Sequence, residues 1–193
     1  MKHIIVAGMV GGVILFLWGA IAWMVLPLHD SALKTITNEE AVIAAMKSGM
    51  NAKAVYTFPA MPRPEGTPAE QDAAREAWMK KYEAGPTGMV IFDPDGTSPM
   101  MPTQMVVGLI NSILAAMIAA WLLSRSTAAG SGYIARVSFC GALGIFASLV
   151  THTVNWNWMG YPLDYTTGLI ADSVVGWVLA GLGIGKVIPG TAT

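Results

Sequence analysis

The chain has 193 residues, of which 54% are hydrophobic and only 12% charged, and its mean hydropathy is +0.54. A soluble globular domain carries about 25% charged residues, so most of this chain lacks the charge to coat a water-facing surface, and lipid is its expected solvent. A formal net charge of −1 argues against nucleic acid as a partner, since phosphate binding needs a basic stripe, and a single cysteine, Cys140, excludes an internal disulfide.

The first apolar run, residues 4–27, carries no charge and follows Lys2 and His3. As a helix it spans about 36 Å at 1.5 Å per residue, enough for a hydrocarbon core of about 30 Å. Ala20-Ile21-Ala22 has the form of a signal-peptide cleavage site. The apolar run nevertheless continues through Trp23, Met24, Val25 and Leu26, past a normal signal core, so an uncleaved anchor is expected. Gly8 and Gly12 form a small-residue notch suited to helix packing, within the chain or between two copies.

Residues 28–102 are a different material, holding most of the charge and eight of the eleven prolines. Thr37-Asn38-Glu39-Glu40 has the pattern of a capping box and predicts a helix running to Lys47 or Ser48, stopped at Gly49. Thr67-Pro68-Ala69-Glu70 repeats the pattern with proline at the first helical position. It predicts a second helix that turns Ala73, Ala77 and Trp78 inward and ends at Gly85-Pro86. Two strand-like runs, 54–58 and 89–92, are closed by proline-containing turns. The order helix, strand, helix, strand predicts a small α+β segment that leans on the apolar helices, because it has few large apolar residues of its own. Asp93-Pro94-Asp95-Gly96 begins like a calcium loop but lacks the remaining ligands, so a tight turn is expected.

Three more spans follow, at 103–123, 137–156 and 166–184. Lys2, Arg125, Arg136 and Lys186 fall on one side of them, and the 157–165 link has no Lys or Arg. By the positive-inside rule both termini and the 124–136 link are cytoplasmic, and residues 28–102 are extracytoplasmic. Trp156, Trp158, Tyr161 and Tyr165 suit the aromatic belt of the opposite interface. The expected fold class is therefore mainly α and integral to the membrane: four transmembrane helices with a small α+β extracytoplasmic segment between helices 1 and 2.

Polar residues inside the apolar runs are the candidate site. Asn111, His152 and Asp172 lie at similar depth in spans two, three and four. An ionised carboxylate inside a bilayer costs about 2.5–3.5 kcal/mol on insertion scales, so Asp172 requires a partner or water. His152 is the best-placed basic partner. Gly144, Ser148 and His152 recur every four residues, as do Gly168, Asp172, Gly176 and Ala180. This predicts a small-residue seam between spans three and four, closed by a His152–Asp172 contact. Such a contact is either a structural clip that fixes register or a ligand, ion or proton site opening outward. The lack of further carboxylates in the inner half favours the clip. Asn155, three residues after His152, is nearly on the same face.

Other signals are weaker. Gly181 to Lys186 is glycine-rich, but no strand precedes it and no Ser or Thr follows the lysine, so it fails the context of a phosphate loop. Met100, Met101 and Met105, with Met61 and His29, offer thioether and imidazole ligands to Cu(I), although methionine at the base of a span is more often apolar packing. No metal and no cofactor are assigned. Ser148, His152 and Asp172 do not make a hydrolytic triad, since Ser148 sits one turn below His152 and away from water. Cys140 has no adjacent base and is assigned to packing.

Phe16-Leu17-Trp18-Gly19-Ala20, Ala22-Trp23 and Leu26-Pro27-Leu28-His29 resemble a group of small bacterial four-helix inner-membrane proteins. Val55-Tyr56-Thr57-Phe58-Pro59, Gly85-Pro86-Thr87-Gly88 and the tryptophan-rich end of span three fit the same pattern. The resemblance implies a bacterial inner (cytoplasmic) membrane and carries no known activity. The expected function is non-enzymatic: an accessory or scaffold subunit whose partners are the lipid bilayer and other membrane proteins, or a second copy of itself. The alternative is a transporter or sensor of a small solute, proton or metal, centred on Asn111, His152 and Asp172.

Overall fold

The structure, a computed structural model, describes residues 1–189 apart from Pro27, Ser31 and Met100. Two expectations therefore lie outside the described residues: the end of the first span at Pro27, and Met100 of the methionine set. In chain order the elements are α1 (Lys2–Met24), α2 (Glu39–Gly49), β1 (Ala54–Phe58), α3 (Pro68–Ala84), β2 (Gly88–Phe92), α4 (Pro102–Arg125), α5 (Tyr133–Met159) and α6 (Leu163–Val187). They divide into two compact units, Met1–Lys34 with Pro99–Thr193, and Thr35–Ser98.

The first unit is built from α1, α4, α5 and α6, each long and apolar enough to cross a membrane. Both α5 and α6 run beyond the expected spans, so little of the 157–165 link is a loop. Gly160 takes a left-handed conformation (φ 70°) as the stop of α5, a geometry that costs glycine least. Pro162 then stands directly before α6, and the turn is complete in a few residues.

Glycines show how the helices meet. A side chain at Gly8 or Gly12 of α1 would collide with Met117 or Ile113 of α4. The notch is thus filled within the chain. Gly11 lies against Ile184, Gly183 against Val10 and Ile14, and Gly176 against Trp18, which runs α1 antiparallel to α6. Gly141, Gly144 and Gly181 lie against Val178, Trp177 and Cys140, which runs α5 antiparallel to α6. The packing order is α4, α1, α6, α5.

The predicted seam needs correction here. Gly168 and Gly176 of α6 face His29 and Trp18, not α5; the face toward α5 is Trp177, Val178, Gly181 and Gly185. Because α6 is sandwiched between two helices it needs two close-approach faces, and the Gly168–Asp172–Gly176 row belongs to the one against the α1 side.

Buried side chains concentrate toward one end: Ala7, Ala116, Ala119, Ala120, Leu123, Cys140, Ala180 and Ile184 belong to a single cluster. Small side chains dominate, as expected where helices associate by close van der Waals approach. Lys2, Arg125, Arg136 and Lys186 sit at the helix termini of that same end. Arg136 ties it together, donating through Nε to the Gly185 carbonyl at 2.9 Å and through a terminal nitrogen to the Ala129 carbonyl at 3.0 Å. The Lys186 ammonium lies 5.3 Å from the centre of the Tyr133 ring. The Gly181 to Lys186 stretch is helical, and Cys140 is fully buried.

In the second unit β1 and β2 pair antiparallel, from Ala54 opposite Phe92 to Phe58 opposite Gly88. The α3 capping box forms: Glu70 accepts from the Thr67 amide at 2.7 Å, and the Thr67 hydroxyl oxygen accepts from the Glu70 amide at 3.4 Å. The bond from the Thr67 amide holds the Glu70 carboxyl below the usual glutamate range. Asp93 accepts from the Asp95 amide and pairs with Lys53 at 2.7 Å, so the acidic stretch is a turn. Two expectations are corrected. The α2 cap is Asn38, which accepts from the Ala41 amide at 3.4 Å, rather than Thr37. Asn is at least as good an N-cap as Thr, and Glu39 and Glu40 still stand in the first turn, where the helix dipole favours them. On α3, Ala73 and Ala77 are exposed, because this unit has no layer thick enough to cover them. Only Trp78 turns in, donating its indole N–H to the Pro59 carbonyl at 3.1 Å.

Candidate functional site: a polar groove in the four-helix unit

Asp172 is held from the α1 side. The indole N–H of Trp18 donates to its carboxylate Oδ1 at 2.6 Å and lies 3.1 Å from its backbone carbonyl. His29 Nε2 stands 3.7 Å from the other oxygen, Oδ2. His29 follows α1 and folds back onto the unit. It is 3% exposed and stacks on Trp23, with ring centres 3.9 Å apart. Gly168, one turn before Asp172, makes room for it: a Cβ there would stand 3.4 Å from His29 Nδ1. Neither ring nitrogen of His29 has a hydrogen-bond partner among the described residues.

The three residues singled out in the sequence converge. Asn111, His152 and Asp172 line one open groove of about 400 Å³, to which all four long helices contribute. Ser112, Ser173, Trp18 and Trp177 complete its polar and aromatic wall. The Ser112 hydroxyl donates to the Gly108 carbonyl at 2.9 Å, which leaves its oxygen an acceptor toward the groove. His152 has a buried Nδ1 without a hydrogen-bond partner among the described residues. The imidazole beside the Asp172 carboxylate is that of His29, while His152 belongs to the same groove wall. Asn155 is not among the lining residues.

The Ser148 hydroxyl donates to the Gly144 carbonyl at 2.8 Å, back along its own helix and not to His152. Among the described residues, no three His, Cys, Asp or Glu side chains gather as a metal site. A second groove, about 660 Å³, lies at the basic end beside Met1, Trp121 and Ile188. Its polar residues, His3, Ser124 and Arg125, belong to helix ends, and the Ser124 hydroxyl donates to the Trp121 carbonyl at 2.7 Å.

Sequence reasoning missed Trp18 and His29 as partners of Asp172. The available signal was the Gly168 and Gly176 spacing around Asp172, which announces a close neighbour without saying which. Comparison of the chain with protein-family models, with curated proteins and with solved structures finds no match.

Proposed function

We propose that this chain is a non-enzymatic multi-pass membrane protein that binds a small polar solute in an intramembrane groove, as a transport or sensing component. The single observation that carries this reading is the convergence of Asn111, His152 and Asp172 on one open groove. A structural clip would join its polar groups face to face and leave no space between them. Here His152 keeps a buried, unpartnered nitrogen. Polar groups facing hydrocarbon are expensive, so a groove lined by Asn111, His152 and Asp172 favours water or a polar ligand over an acyl chain. On this proposal both termini lie in the cytoplasm of a bacterium and residues 28–102 outside its inner membrane, with the groove in the outer half of the bilayer. The grouping of Lys2, Arg125, Arg136 and Lys186 at one end supports this orientation.

Thiol accessibility tests the reading. Cysteines replacing Ser112 and Ser173 should react with a hydrophilic thiol reagent added outside spheroplasts. A cysteine replacing Val106, which is 56% exposed on α4 and absent from the groove wall, should not. Native Cys140 is fully buried and serves as an internal blank. If both groove positions stay unlabelled, the groove is dry and the solute reading is wrong. The accessory-subunit reading would then remain. It is favoured by α2, which has no buried residue and leaves Val42 and Ile43 uncovered.

A further inference from the structure

We propose that the groove binds a primary ammonium group, with Asp172 as its counter-ion and Asn111, Ser112 and His152 as further acceptors. This rests on the groove being hydrated and open to ligand. Its wall carries one formal charge, the Asp172 carboxylate, and neither lysine nor arginine lines it. Around that single charge several side chains of the wall offer acceptors. Trp18 uses one lone pair of Oδ1, and a carboxylate has about four. The Ser112 proton is committed to the Gly108 carbonyl, so its oxygen can only accept. His152 lines the groove, and a neutral imidazole has one acceptor nitrogen. Asn111 adds a carbonyl oxygen.

An –NH₃⁺ group is the complement of such a wall, with three donors, no acceptor and one positive charge. The indole surfaces of Trp18 and Trp177 attract cations further, and Leu15, Ala115 and Leu169 suit an alkyl stem. An anion would meet the carboxylate with no cation to offset it. A divalent metal would meet no set of three His, Cys, Asp or Glu ligands among the described residues. A quaternary ammonium would satisfy the charge but none of the acceptors. His29, on the far oxygen of Asp172, competes for the same charge when protonated. The ammonium belongs to an ethanolamine phospholipid headgroup or to a free amine.

Two measurements on the full chain in nanodiscs separate these sources. In the first, nanodiscs of equal phosphatidylethanolamine, phosphatidylcholine and phosphatidylglycerol are dissociated for native mass spectrometry, and the lipids retained by the protein are counted. In the second, calorimetry in phosphatidylcholine nanodiscs compares propylammonium with tetramethylammonium. The expected result is a preference for the N–H-bearing cation of at least about tenfold, the size of one charge-assisted hydrogen bond. It should be lost in Asp172→Asn and partly kept in Asp172→Glu. Preference in the lipid arm alone identifies the headgroup, and preference in the calorimetric arm alone identifies a free amine. Equal retention or affinity in both arms overturns the proposal. Should Asp172→Asn fail to fold, Asn111→Leu and Ser112→Ala leave the Trp18 contact untouched. Each should weaken binding at least about threefold, and a folded double variant with unchanged affinity also overturns it. A groove that accepts thiol reagent yet shows no ammonium preference sinks this inference alone. A groove closed to the reagent sinks the solute reading with it.

Discussion

Asp172 takes both of its direct partners from the chain's first 30 residues, Trp18 and His29. A low-dielectric carboxylate is tolerable when its charge is shared among such groups, and removing one of them strands the rest. Asp172→Asn and His29→Gln should therefore each lower the thermal stability of the detergent-solubilised protein, with a double variant less damaged than the sum. A coupling of about 0.5 kcal/mol or more is the expected scale for residues in contact. Coupling of Asp172→Asn with His152→Gln should be smaller, because groove space lies between them. The reverse order of couplings would mean that α5 supplies the true partner. The common level of Asn111, His152 and Asp172 was legible from the chain, since counting residues along each apolar run aligns them, and they line one groove. Partner choice was not legible. Seen as sequence, His29 belongs to the polar segment 28–102. Only the fold-back after α1 brings it beside Asp172.

Among the elements, α6 is the one on which the arrangement turns. Close approach to α1 uses Gly176 and Gly183, and close approach to α5 uses Gly181 and Gly185. The four-residue periodicity announces small faces, but identical spacing serves either neighbour, so it does not say that Gly168 and Gly176 face His29 and Trp18. Capping chemistry was more legible. The Thr67 box is local and complete within four residues, whereas Thr37 and Asn38 compete one residue apart. Two glycines of α1 give a paired test of how close the helices must lie. At Gly12 a Cβ would sit 2.6 Å from the Ile113 backbone nitrogen, and at Gly19 it would meet nothing within 4 Å. Gly12→Leu should cost about 1–3 kcal/mol, the usual range for overpacking, because backbone cannot move aside as a side chain can. Gly19→Ala should be neutral, or stabilise by up to about 1 kcal/mol through helix propensity. Thermal melts that leave Gly12→Leu unchanged would break the α1–α4 contact as described.

At the scale of the whole molecule, hydropathy fixes the number of long helices because each apolar run is separated by prolines, glycines or charge. It cannot draw the groove, which exists because α6 and α1 form the middle of the row and α4 and α5 flank it. Orientation is where sequence and packing converge most usefully. Antiparallel neighbours carry the four short-loop basic residues to one end, while the Trp156 to Tyr165 aromatic stretch lies at the other. Inside cells that asymmetry should set topology. The segment between α1 and α4 offers a site for labelling at Glu65, which is exposed and leaves the Thr67–Glu70 box undisturbed. The opposite link offers Ser131, also exposed. A membrane-impermeant thiol reagent should reach Glu65→Cys in intact spheroplasts and reach Ser131→Cys only after the membrane is opened. Labelling of Ser131→Cys alone in intact spheroplasts would invert the molecule. The groove would then lie in the cytoplasmic half of the bilayer, where any solute it binds must come from inside the cell. Labelling of both, or of neither, would mean that the four helices do not share one fixed orientation, and the basic residues would lose their meaning as topological signals.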